Sequence, residues 1–244
     1  MNAIHSETSV RIWTELGEAG ARRGAERGDT VIVIDALRAS TTIPTALQAG
    51  ATQVVPVLTV EQANAYLDDP TCVIAGERGG SKVAGFDFGN SPTEIWTHRR
   101  QIAQKTLVLT TSNGTRCTNA ALAGSSAVLV GALVNASAVA KCGMSLAREQ
   151  AGDITLVAAG LNEQPSDEDS FALGAIGRRL IDLGATPVTP IFRIKEASSL
   201  QLFLATQAAA HLIGLGYEQD VRFCAQIDLW NVVPIYQGVG FVKA

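Results

Sequence analysis

Thr-Val-Ile-Val-Ile-Asp, residues 30–35, is the stretch that decides the fold of this chain. Its β-branched residues follow one another without polar alternation, which is typical of a strand buried on both faces of a parallel sheet. The run ends on the carboxylate of Asp35, and residues 41–50 beyond it have a helical pattern that stops at Gly50. A buried strand followed by a helix is the repeating unit of α/β proteins.

The same alternation continues along the chain. Strands are predicted at 54–57, 72–75, 106–110, 128–130 and 154–158, with a weak strand at 188–193 and a closing hairpin over 232–236 and 240–242. Helices are predicted at 61–67, just after Pro92, and at about 115–123, 136–149, 167–183 and 196–213, whereas the glycine-rich residues 76–92 are predicted to form a long loop. The pattern predicts a layered α/β/α fold with a largely parallel sheet. We expect one compact unit over residues 1–244, in which a boundary near residue 130 would separate two tightly packed lobes, 1–130 and 131–244.

Composition excludes several classes of function. The chain has 244 residues, of which 47% are hydrophobic and only 17% are charged, so it can bury a substantial core. Its 19 basic and 23 acidic residues give a net charge of −4 without any basic run, which argues against a nucleic acid partner. The low charge and high alanine content are compatible with a homo-oligomer.

Cysteine usage and hydropathy predict a cytoplasmic protein without a membrane segment. The four cysteines form no Cys-x-x-Cys pair and fit free thiols in a reducing compartment. Residues 117–140 carry no charge and are long enough to span a bilayer, but polar residues and a Gly-Ser-Ser turn interrupt them. They therefore predict a helix end, a turn and a buried strand. The start of the chain lacks a signal-peptide pattern.

Polar residues collect where the predicted strands end. They are Asp35 and Arg38 after the first strand, Glu77 and Arg78 after the third, Asn113, Thr115 and Arg116 after the fourth, and Glu168 and Asp169 beyond Gly160. Ligands of open α/β sheets bind beyond the carboxyl ends of the strands. A single acidic residue in such a position more often caps a helix, but four coinciding strand ends favour one ligand-binding crevice.

The Asp35-x-x-Arg38 string brings an anion and a cation to a predicted helix N-terminus, next to Ser40, Thr41 and Thr42. Free N–H groups at such a terminus bind phosphate or another oxyanion, and the hydroxyl groups would add donors. The alternative is an Asp35–Arg38 ion pair with Thr41 as the N-cap.

Two turns offer further ligand groups. The glycines of the predicted long loop permit close backbone approach to a ligand, and Glu77 and Asp87 supply hard oxygen donors; the alternative is a surface turn. Asn113-Gly114-Thr115 is a tight turn with amide donors and a hydroxyl where a helix begins, although Asn-Gly turns are common.

The acidic pair Glu168-Asp169 opens the helix predicted at 167–183. Carboxylates in a first turn favour the helix dipole without any catalytic role. As metal ligands they would have to point back into the crevice, and both interpretations stay open here.

Several known patterns fail on inspection. Cys72 and Arg78 have the Cys-x5-Arg spacing of cysteine phosphatases, but Cys72 begins a predicted strand, so the residues between them cannot cradle an anion. Asp35 is placed like the nucleophile of aspartyl-phosphate enzymes, yet Leu37 stands where the general acid is expected. The chain has neither a G-x-G-x-x-G string nor a P-loop, which argues against a dinucleotide-dependent oxidoreductase.

Together these strings resemble the 2-phosphosulfolactate phosphatase family. The matching strings are Val-Ile-Asp-Ala-Leu-Arg-Ala-Ser-Thr-Thr (33–42), Gly-Glu-Arg-Gly-Gly (76–80), Gly-Phe-Asp-Phe-Gly-Asn-Ser-Pro (85–92), Thr-Thr-Ser-Asn-Gly-Thr (110–115), Glu-Asp (168–169) and an ending with Asp220-Val-x-x-Cys224 followed by 228–234. They occur in the family's order and at similar spacing over nearly the whole chain. Residues 172–175 depart from the usual Ala-Gly pair of the family, on a predicted helix where the change affects packing.

The resemblance implies a magnesium-dependent phosphatase that hydrolyses 2-phosphosulfolactate to 3-sulfolactate and phosphate, a step toward coenzyme M. It also implies an α/β fold peculiar to the family. A related small 2-phospho-acid is the alternative substrate, because bacterial relatives need not make coenzyme M. In either case the partner is a small anionic phosphorylated molecule.

The residues and the resemblance combine into one hypothesis. Hard carboxylates without histidine ligands suit Mg²⁺, and we expect the metal ligands and the general acid or base among Asp35, Glu77, Asp87, Glu168 and Asp169. Arg38 and Arg78 would clamp the acidic groups of the substrate. Further substrate-binding groups are expected from Thr41, Thr42, Asn90, Ser91, Asn113, Gly114 and Thr115. We expect water to attack the phosphate directly; the alternatives are an aspartyl-phosphate mechanism at Asp35 and a non-catalytic module that binds small anions.

Overall fold

The computed structural model describes residues 9–161, 164–191 and 199–244. The strands in this part of the chain are β1 (Arg11–Leu16), β2 (Thr30–Ile34), β3 (Gln53–Val57), β4 (Cys72–Arg78), β5 (Ser81–Lys82), β6 (Thr106–Thr110), β7 (Ala127–Val130), β8 (Ile154–Ala158), β9 (Thr186–Pro187), β10 (Pro234–Gln237) and β11 (Gly240–Lys243). The helices are α1 (Gly17–Glu26), α2 (Ala39–Gln48), α3 (Val60–Asn64), α4 (Pro92–Thr97), α5 (Arg99–Ile102), α6 (Gly114–Ala121), α7 (Ala136–Glu149), α8 (Asp167–Asp182), α9 (Ser199–Leu204), α10 (Gln207–Gly214) and α11 (Glu218–Cys224), with a 3₁₀ turn at Leu133–Asn135.

The sheet consists of two parallel groups joined by an antiparallel hairpin. Its strand order is β5-β4-β6-β3-β11-β10-β7-β2-β8-β1-β9. The strands β7, β2, β8, β1 and β9 pair in parallel, and so do β4, β6 and β3. Between these groups, β10 and β11 pair antiparallel with each other and with their outer neighbours β7 and β3. The predicted α/β fold with a largely parallel sheet is confirmed.

Strand β2 shows why the sheet is covered on both faces. All five of its residues are buried. Ile32 and Ile34 belong to a hydrophobic cluster with α7 and α8, whereas Val31 and Val33 belong to a second cluster with α1, α2 and α6. Because successive side chains of a strand point to opposite faces, this division places one helical layer on each side. Asp35, which directly follows β2, is therefore buried inside the molecule.

Most predicted elements are present. The strands at 106–110 and 154–158 and the helix at 136–149 have the predicted bounds, and the other confirmed elements differ by a few residues at their ends. The uncharged residues 117–140 form the end of α6, a turn, β7 and the start of α7. In the described part of the chain, no helix is both long enough and apolar enough to cross a bilayer.

The prediction of a long loop at 76–92 is wrong for residues 76–82, whereas residues 83–91 belong to no named helix or strand. Strand β4 continues to Arg78, the chain turns through Gly79 and Gly80, and β5 returns antiparallel to β4. The reason is that Gly76 serves packing: a Cβ atom there would lie 2.7 Å from both the carbonyl oxygen and Cγ2 of Thr110 on the neighbouring strand. A glycine required by close approach inside a sheet gives the same sequence signal as a loop glycine.

The carboxyl-terminal third departs further from prediction. The helix predicted at 196–213 is two helices, α9 and α10, because the Thr206 side chain accepts a hydrogen bond from the Ala209 amide and caps a new helix there. Residues 188–191 form no strand, and residues 192–193 and 196–198 lie outside the described residues. The elements β1, α1 and α11 were not predicted, since short segments with mixed polarity give weak periodicity.

Candidate active site

A cavity of about 340 Å³ lies at the carboxyl ends of β2, β4 and β6. One part of its lining, the strand-end wall, consists of Asp35, Glu77, Asn90, Ser112 and Asn113. The other part, the helical wall, consists of α10, whose residues Gln207, Ala208, His211 and Leu212 line the cavity, and of α11, which packs against α10. Arg38, Leu37, Leu161 and the Gly79-Gly80 turn complete the lining. The two parallel groups of the sheet thus contribute to a single cavity.

Asp35 is held at the base of the strand-end wall. It is only 8% exposed, and its Oδ2 accepts a hydrogen bond from the Gly114 amide at 3.0 Å. A Cβ atom at position 114 would lie 2.8 Å from this oxygen, so only glycine fits beside it. Burial raises the pKa of Asp35 above its ordinary value, and the nearby Glu77 carboxylate raises it further, whereas the amides of Gly114 and Ala39 lower it. The effects of burial and like charge outweigh the effect of the two amides, so the pKa of Asp35 is raised.

Glu77 connects two loops of the strand-end wall. Its carboxylate is 7% exposed; Oε1 accepts from the Ser112 amide at 2.7 Å, and Oε2 accepts from the Gly80 amide at 2.8 Å. Both oxygens keep a further lone pair. Glu77 is therefore rigidly held by backbone groups while it remains able to accept from, or coordinate, a ligand in the cavity.

Arg38 joins the two walls. Its Nη1 donates to Asp220 Oδ2 at 2.8 Å, and its Nη2 donates to the Gly80 carbonyl oxygen at 2.6 Å. The guanidinium carbon lies 4.4 Å from the centre of the Tyr217 ring. Asp220 is fully buried and also accepts from Ser91 at 2.8 Å and from the Thr93 hydroxyl. The predicted alternative of an Asp35–Arg38 ion pair is not formed, because Arg38 pairs with Asp220 on α11.

Asp169 lies beside Asp35, beneath the cavity. Its two oxygens accept from the Ala36 amide at 2.7 Å and the Gly160 amide at 2.9 Å. Burial raises the pKa of Asp169, and the negative charge of Asp35 raises it further. Glu168 is 5% exposed, and burial raises its pKa as well. Neither residue lines the cavity; Asp169 is connected to it through the Ala36 amide, and the charge of Glu168 raises the pKa values of its neighbours Asp35 and Asp169.

Two predicted charged residues point elsewhere. The Arg78 guanidinium donates to the Glu77 carbonyl oxygen and to the Thr110 hydroxyl, and it lies outside the cavity lining. Asp87 accepts from the Ile74 amide at 2.8 Å and is exposed, so it ties the returning chain to β4. Glu77 and Arg78 are neighbours on the extended β4, and successive side chains of a strand point to opposite faces. Arg78 therefore points away from the cavity that Glu77 lines.

The predicted anion site at the start of α2 is already occupied by the protein itself. The Ser40 amide donates to the Asp35 carbonyl oxygen, and the amides of Thr41 and Thr42 donate to the Arg38 carbonyl oxygen. The Thr41 hydroxyl donates to the Ala36 carbonyl oxygen. The free amide groups expected there are thus absent from the described structure. The Thr42 Oγ1 is buried without a partner among the described residues.

The other predicted binding groups divide into two sets. Asn90 and Asn113 line the cavity, and Asn90 Oδ1 is buried without a hydrogen-bond partner among the described residues. Ser91 instead caps α4 and donates to Asp220, and the Thr115 hydroxyl donates to the Thr111 carbonyl oxygen. An unpaired amide oxygen at a cavity wall is a candidate ligand atom.

The hard oxygen donors of the cavity fit Mg²⁺. In the described part of the chain, no three Asp, Glu, His or Cys side chains form a metal-binding cluster. Mg²⁺ does not require such a cluster, because it typically binds through one or two carboxylates, waters and substrate phosphate. Asp35, Glu77 and the unpaired oxygen of Asn90 line the same cavity and offer that kind of donor set.

Sequence reasoning missed Asp220 and the helical wall. Asp220 lies in a string that resembles the family ending, and this resemblance is the sequence signal that could have identified it. Residues 207–212 read as an ordinary alanine-rich helix, without motif spacing. Cys72 begins β4, as predicted, so the residues between Cys72 and Arg78 are extended, and burial raises the pKa of its thiol.

Comparison with known proteins gives this site its class. A family model described as 2-phosphosulpholactate phosphatase matches residues 19–238, which places the chain among the phosphoric monoester hydrolases. The chain belongs to the 2-phosphosulpholactate phosphatase family. The resemblance that the sequence strings indicated is therefore confirmed.

Curated relatives support the same assignment over most of their length. A probable 2-phosphosulfolactate phosphatase of Thermotoga petrophila is 38% identical over 219 residues, which cover 88% of this chain and 92% of the relative. A relative of the same description from Clostridium novyi is 33% identical over 218 residues, with 85% and 89% covered. One from Deinococcus radiodurans is 34% identical over 219 residues, with 84% and 87% covered.

Proposed function

We propose that this protein is a Mg²⁺-dependent phosphatase that hydrolyses 2-phosphosulfolactate, or a related small 2-phospho-acid, to the 2-hydroxy acid and inorganic phosphate. The observation that carries the proposal is that two buried carboxylates, Asp35 and Glu77, share a cavity with the Arg38 guanidinium. Membership of a phosphatase family favours this function over a non-catalytic module that binds small anions.

Arg38 is the group that would bind the phosphate. Two of its nitrogens are engaged with Asp220 and the Gly80 carbonyl oxygen, which fixes the plane of the guanidinium. An arginine has five N–H donors, so others remain for phosphate oxygens. Asn113, on the opposite loop, offers an amide group to the remaining acidic groups of the substrate.

Asp35 and Glu77, with Asn90 Oδ1, would hold the Mg²⁺ ion. When bound, Mg²⁺ neutralises phosphoryl oxygens and orients a water molecule. Burial raises the pKa values of Asp35 and Asp169, and the neighbouring carboxylates raise them further; a divalent cation beside Asp35 would favour the ionised form of this group. Asp169 would keep Asp35 in place by bonding to the Ala36 amide next to it.

The reaction would be a single displacement. The oxygen of water forms a bond to phosphorus while the bond from phosphorus to the C2 oxygen breaks; the water gives up one proton and the departing C2 oxygen takes up one, so no net proton is consumed. As a proposed Mg²⁺ ligand, Asp35 would be ionised during this step, so its part would be to hold the ion in place and not to transfer the proton. Phosphate monoesters hydrolyse very slowly in water, so positioning and charge stabilisation must provide most of the acceleration.

The experiment that tests this function measures phosphate release from 2-phosphosulfolactate and from other 2-phospho-acids, in Mg²⁺ and in EDTA. We expect release in Mg²⁺ and its loss in EDTA, with recovery when Mg²⁺ is restored. Release that chelation leaves unchanged would contradict the metal role. Tight binding of the substrate without turnover under any of these conditions would favour a non-catalytic binding module.

The stereochemistry at phosphorus distinguishes the two chemical routes. With a substrate whose phosphate is made chiral by oxygen isotopes, direct attack by water inverts the configuration at phosphorus. Two successive displacements through a phosphorylated Asp35 would retain it. We expect inversion; retention would indicate a phosphorylated enzyme intermediate, for which Asp35 is the candidate nucleophile.

We also propose that the enzyme works in the cytoplasm. All four cysteines are free thiols, and Cys117 and Cys224 are buried. This usage fits a reducing compartment.

A further inference from the structure

Helix α10 lies tightly against the Gly79-Gly80 turn. His211 Nε2 is 2.9 Å from the Gly79 carbonyl oxygen, and since a carbonyl oxygen only accepts, Nε2 carries the proton and donates. A Cβ atom at Gly80 would lie 3.0 Å from Leu215 Cδ1 and 3.3 Å from Leu212 Cδ2. The backbone of the turn thus approaches α10 as closely as a glycine permits, and Gly80 has a φ of +85°.

The same turn holds the two charged residues of the cavity. The Gly80 amide donates to Glu77 Oε2 at 2.8 Å, and the Gly80 carbonyl oxygen accepts from Arg38 Nη2 at 2.6 Å. A chain of hydrogen bonds therefore runs from His211 through Gly79 and Gly80 to one carboxylate and one guanidinium. A rotation of this turn would displace Glu77 and Arg38 together.

We propose that His211 is a positioning residue of the active site. Its hydrogen bond to Gly79 fixes the Gly79-Gly80 turn, and through this turn it holds Glu77 and Arg38 in the geometry that catalysis uses. The catalytic consequence rests on the proposed phosphatase function. The coupling between His211 and the turn does not, because it is a property of the folded chain.

Three variants test the role of the donor. His211→Leu removes the N–H group and keeps an apolar side chain against the turn, whereas His211→Gln returns an N–H donor. His98→Leu is the matched control, since His98 Nδ1 lies 3.0 Å from the Glu94 carbonyl oxygen, on an exposed side chain outside the cavity lining. All three are compared by thermal unfolding, so that loss of stability is separated from loss of function.

Steady-state kinetics in saturating Mg²⁺ supplies the first measurement. We expect His211→Leu to lower kcat by about tenfold, the value of one aligned hydrogen bond, with a smaller change in KM. His211→Gln should recover most of this loss, and His98→Leu should behave as wild type. A loss in His211→Leu that His211→Gln fails to restore would overturn the role of the donor, and so would an unchanged kcat in His211→Leu.

The amide resonance of Gly80 supplies the second measurement and needs no substrate. In wild type this proton is bonded to a carboxylate, and it should resonate downfield and exchange slowly. We expect His211→Leu to shift it upfield and speed its exchange, and His211→Gln and His98→Leu to leave it unchanged. A Gly80 amide that is the same in all four proteins would overturn the coupling. If wild type released no phosphate, the proposed function alone would fail, and this resonance would still decide the coupling.

Discussion

The two walls of the cavity differ in how they are built. In the strand-end wall, Asp35 and Glu77 follow or end buried strands and are held by amides of neighbouring loops. In the helical wall, α10 lines the cavity without a carboxylate or guanidinium group and contacts the Gly79-Gly80 turn through His211, and α11 is connected to the cavity through the Asp220–Arg38 pair. The comparison teaches that the first wall carries the chemical groups, while the second fixes their positions.

Removal of the Asp35 charge should have the largest effect. We expect Asp35→Asn to lower kcat/KM by roughly 10²- to 10⁴-fold, because a charged cation ligand is lost from the cavity. Asp87→Asn is the matched control, since it removes a carboxylate from another of the strings that resemble the family, outside the cavity, and leaves an oxygen to accept from the Ile74 amide. Equal losses of kcat/KM in Asp35→Asn and Asp87→Asn would show that a carboxylate in the cavity is no more important for catalysis than Asp87 outside it.

The second prediction concerns stability in the helical wall. Asp220→Ala would leave the Arg38 guanidinium buried without its partner, so we expect the free energy of unfolding to fall by about 3–5 kcal/mol. Glu218→Ala on the same helix removes an exposed pair with Arg222 and should cost about 0.5 kcal/mol or less. Chemical denaturation measures both. Similar costs for the two variants would show that Asp220 does not anchor Arg38.

The third prediction compares two arginines that sequence alone treats as equivalent. Arg38→Lys should lower kcat/KM by about 10- to 100-fold, because lysine cannot reproduce two directed hydrogen bonds to Asp220 and Gly80. Arg78→Lys should change kcat/KM far less, since Arg78 bonds outside the cavity. Steady-state assays at several substrate concentrations check this order, and the reverse order would refute the assigned positions.

The fourth prediction concerns pH. Because the pKa values of Asp35 and Asp169 are raised in the folded protein, the folded state keeps protons that the unfolded chain releases above about pH 4. Without metal, the free energy of unfolding should fall as pH rises from 4 into the neutral range, by at most about 1.4 kcal/mol per pH unit for each proton retained. In the presence of Mg²⁺, the free energy of unfolding should depend less steeply on pH.

Denaturation at several pH values, with and without Mg²⁺, measures the slope. Asp35→Asn should reduce it in the absence of metal, whereas Asp182→Asn, an exposed carboxylate on the same helix as Asp169, should leave it unchanged. A stability that rises with pH over this range would contradict the cause assigned to the raised pKa values.

Much of the strand-end wall was predictable from the sequence. Buried runs such as residues 30–34 identify parallel strands, and the rule that ligands bind beyond their carboxyl ends selects Asp35, Glu77 and Asn113. The rule does not predict, however, in which direction a side chain at a strand end points. It does not predict that Arg38 lines the cavity and pairs with Asp220, whereas Arg78 lies outside the cavity and bonds to Thr110. For Arg78 the direction is set by the hairpin after β4, where the sequence predicts a loop.

The helical wall was not predictable for a different reason. Its contribution depends on contacts between residues far apart in sequence, such as His211 with Gly79 and Asp220 with Arg38. An alanine-rich amphipathic segment looks the same whether it covers a cavity or only a core. The predicted anion site at α2 failed likewise, because tight winding of residues 35–42 uses its amides internally.

The central claim is that Asp35 and Glu77 together hold a divalent cation in this cavity. The most direct test is the thermal stability of wild type, Asp35→Asn, Glu77→Gln and Asp87→Asn during titration with Mg²⁺. We expect Mg²⁺ to stabilise wild type and Asp87→Asn by about 2.7 kcal/mol at a concentration one hundred times the Kd. We expect it not to stabilise Asp35→Asn or Glu77→Gln. Equal stabilisation of all four proteins, or its loss in Asp87→Asn alone, would contradict the central claim.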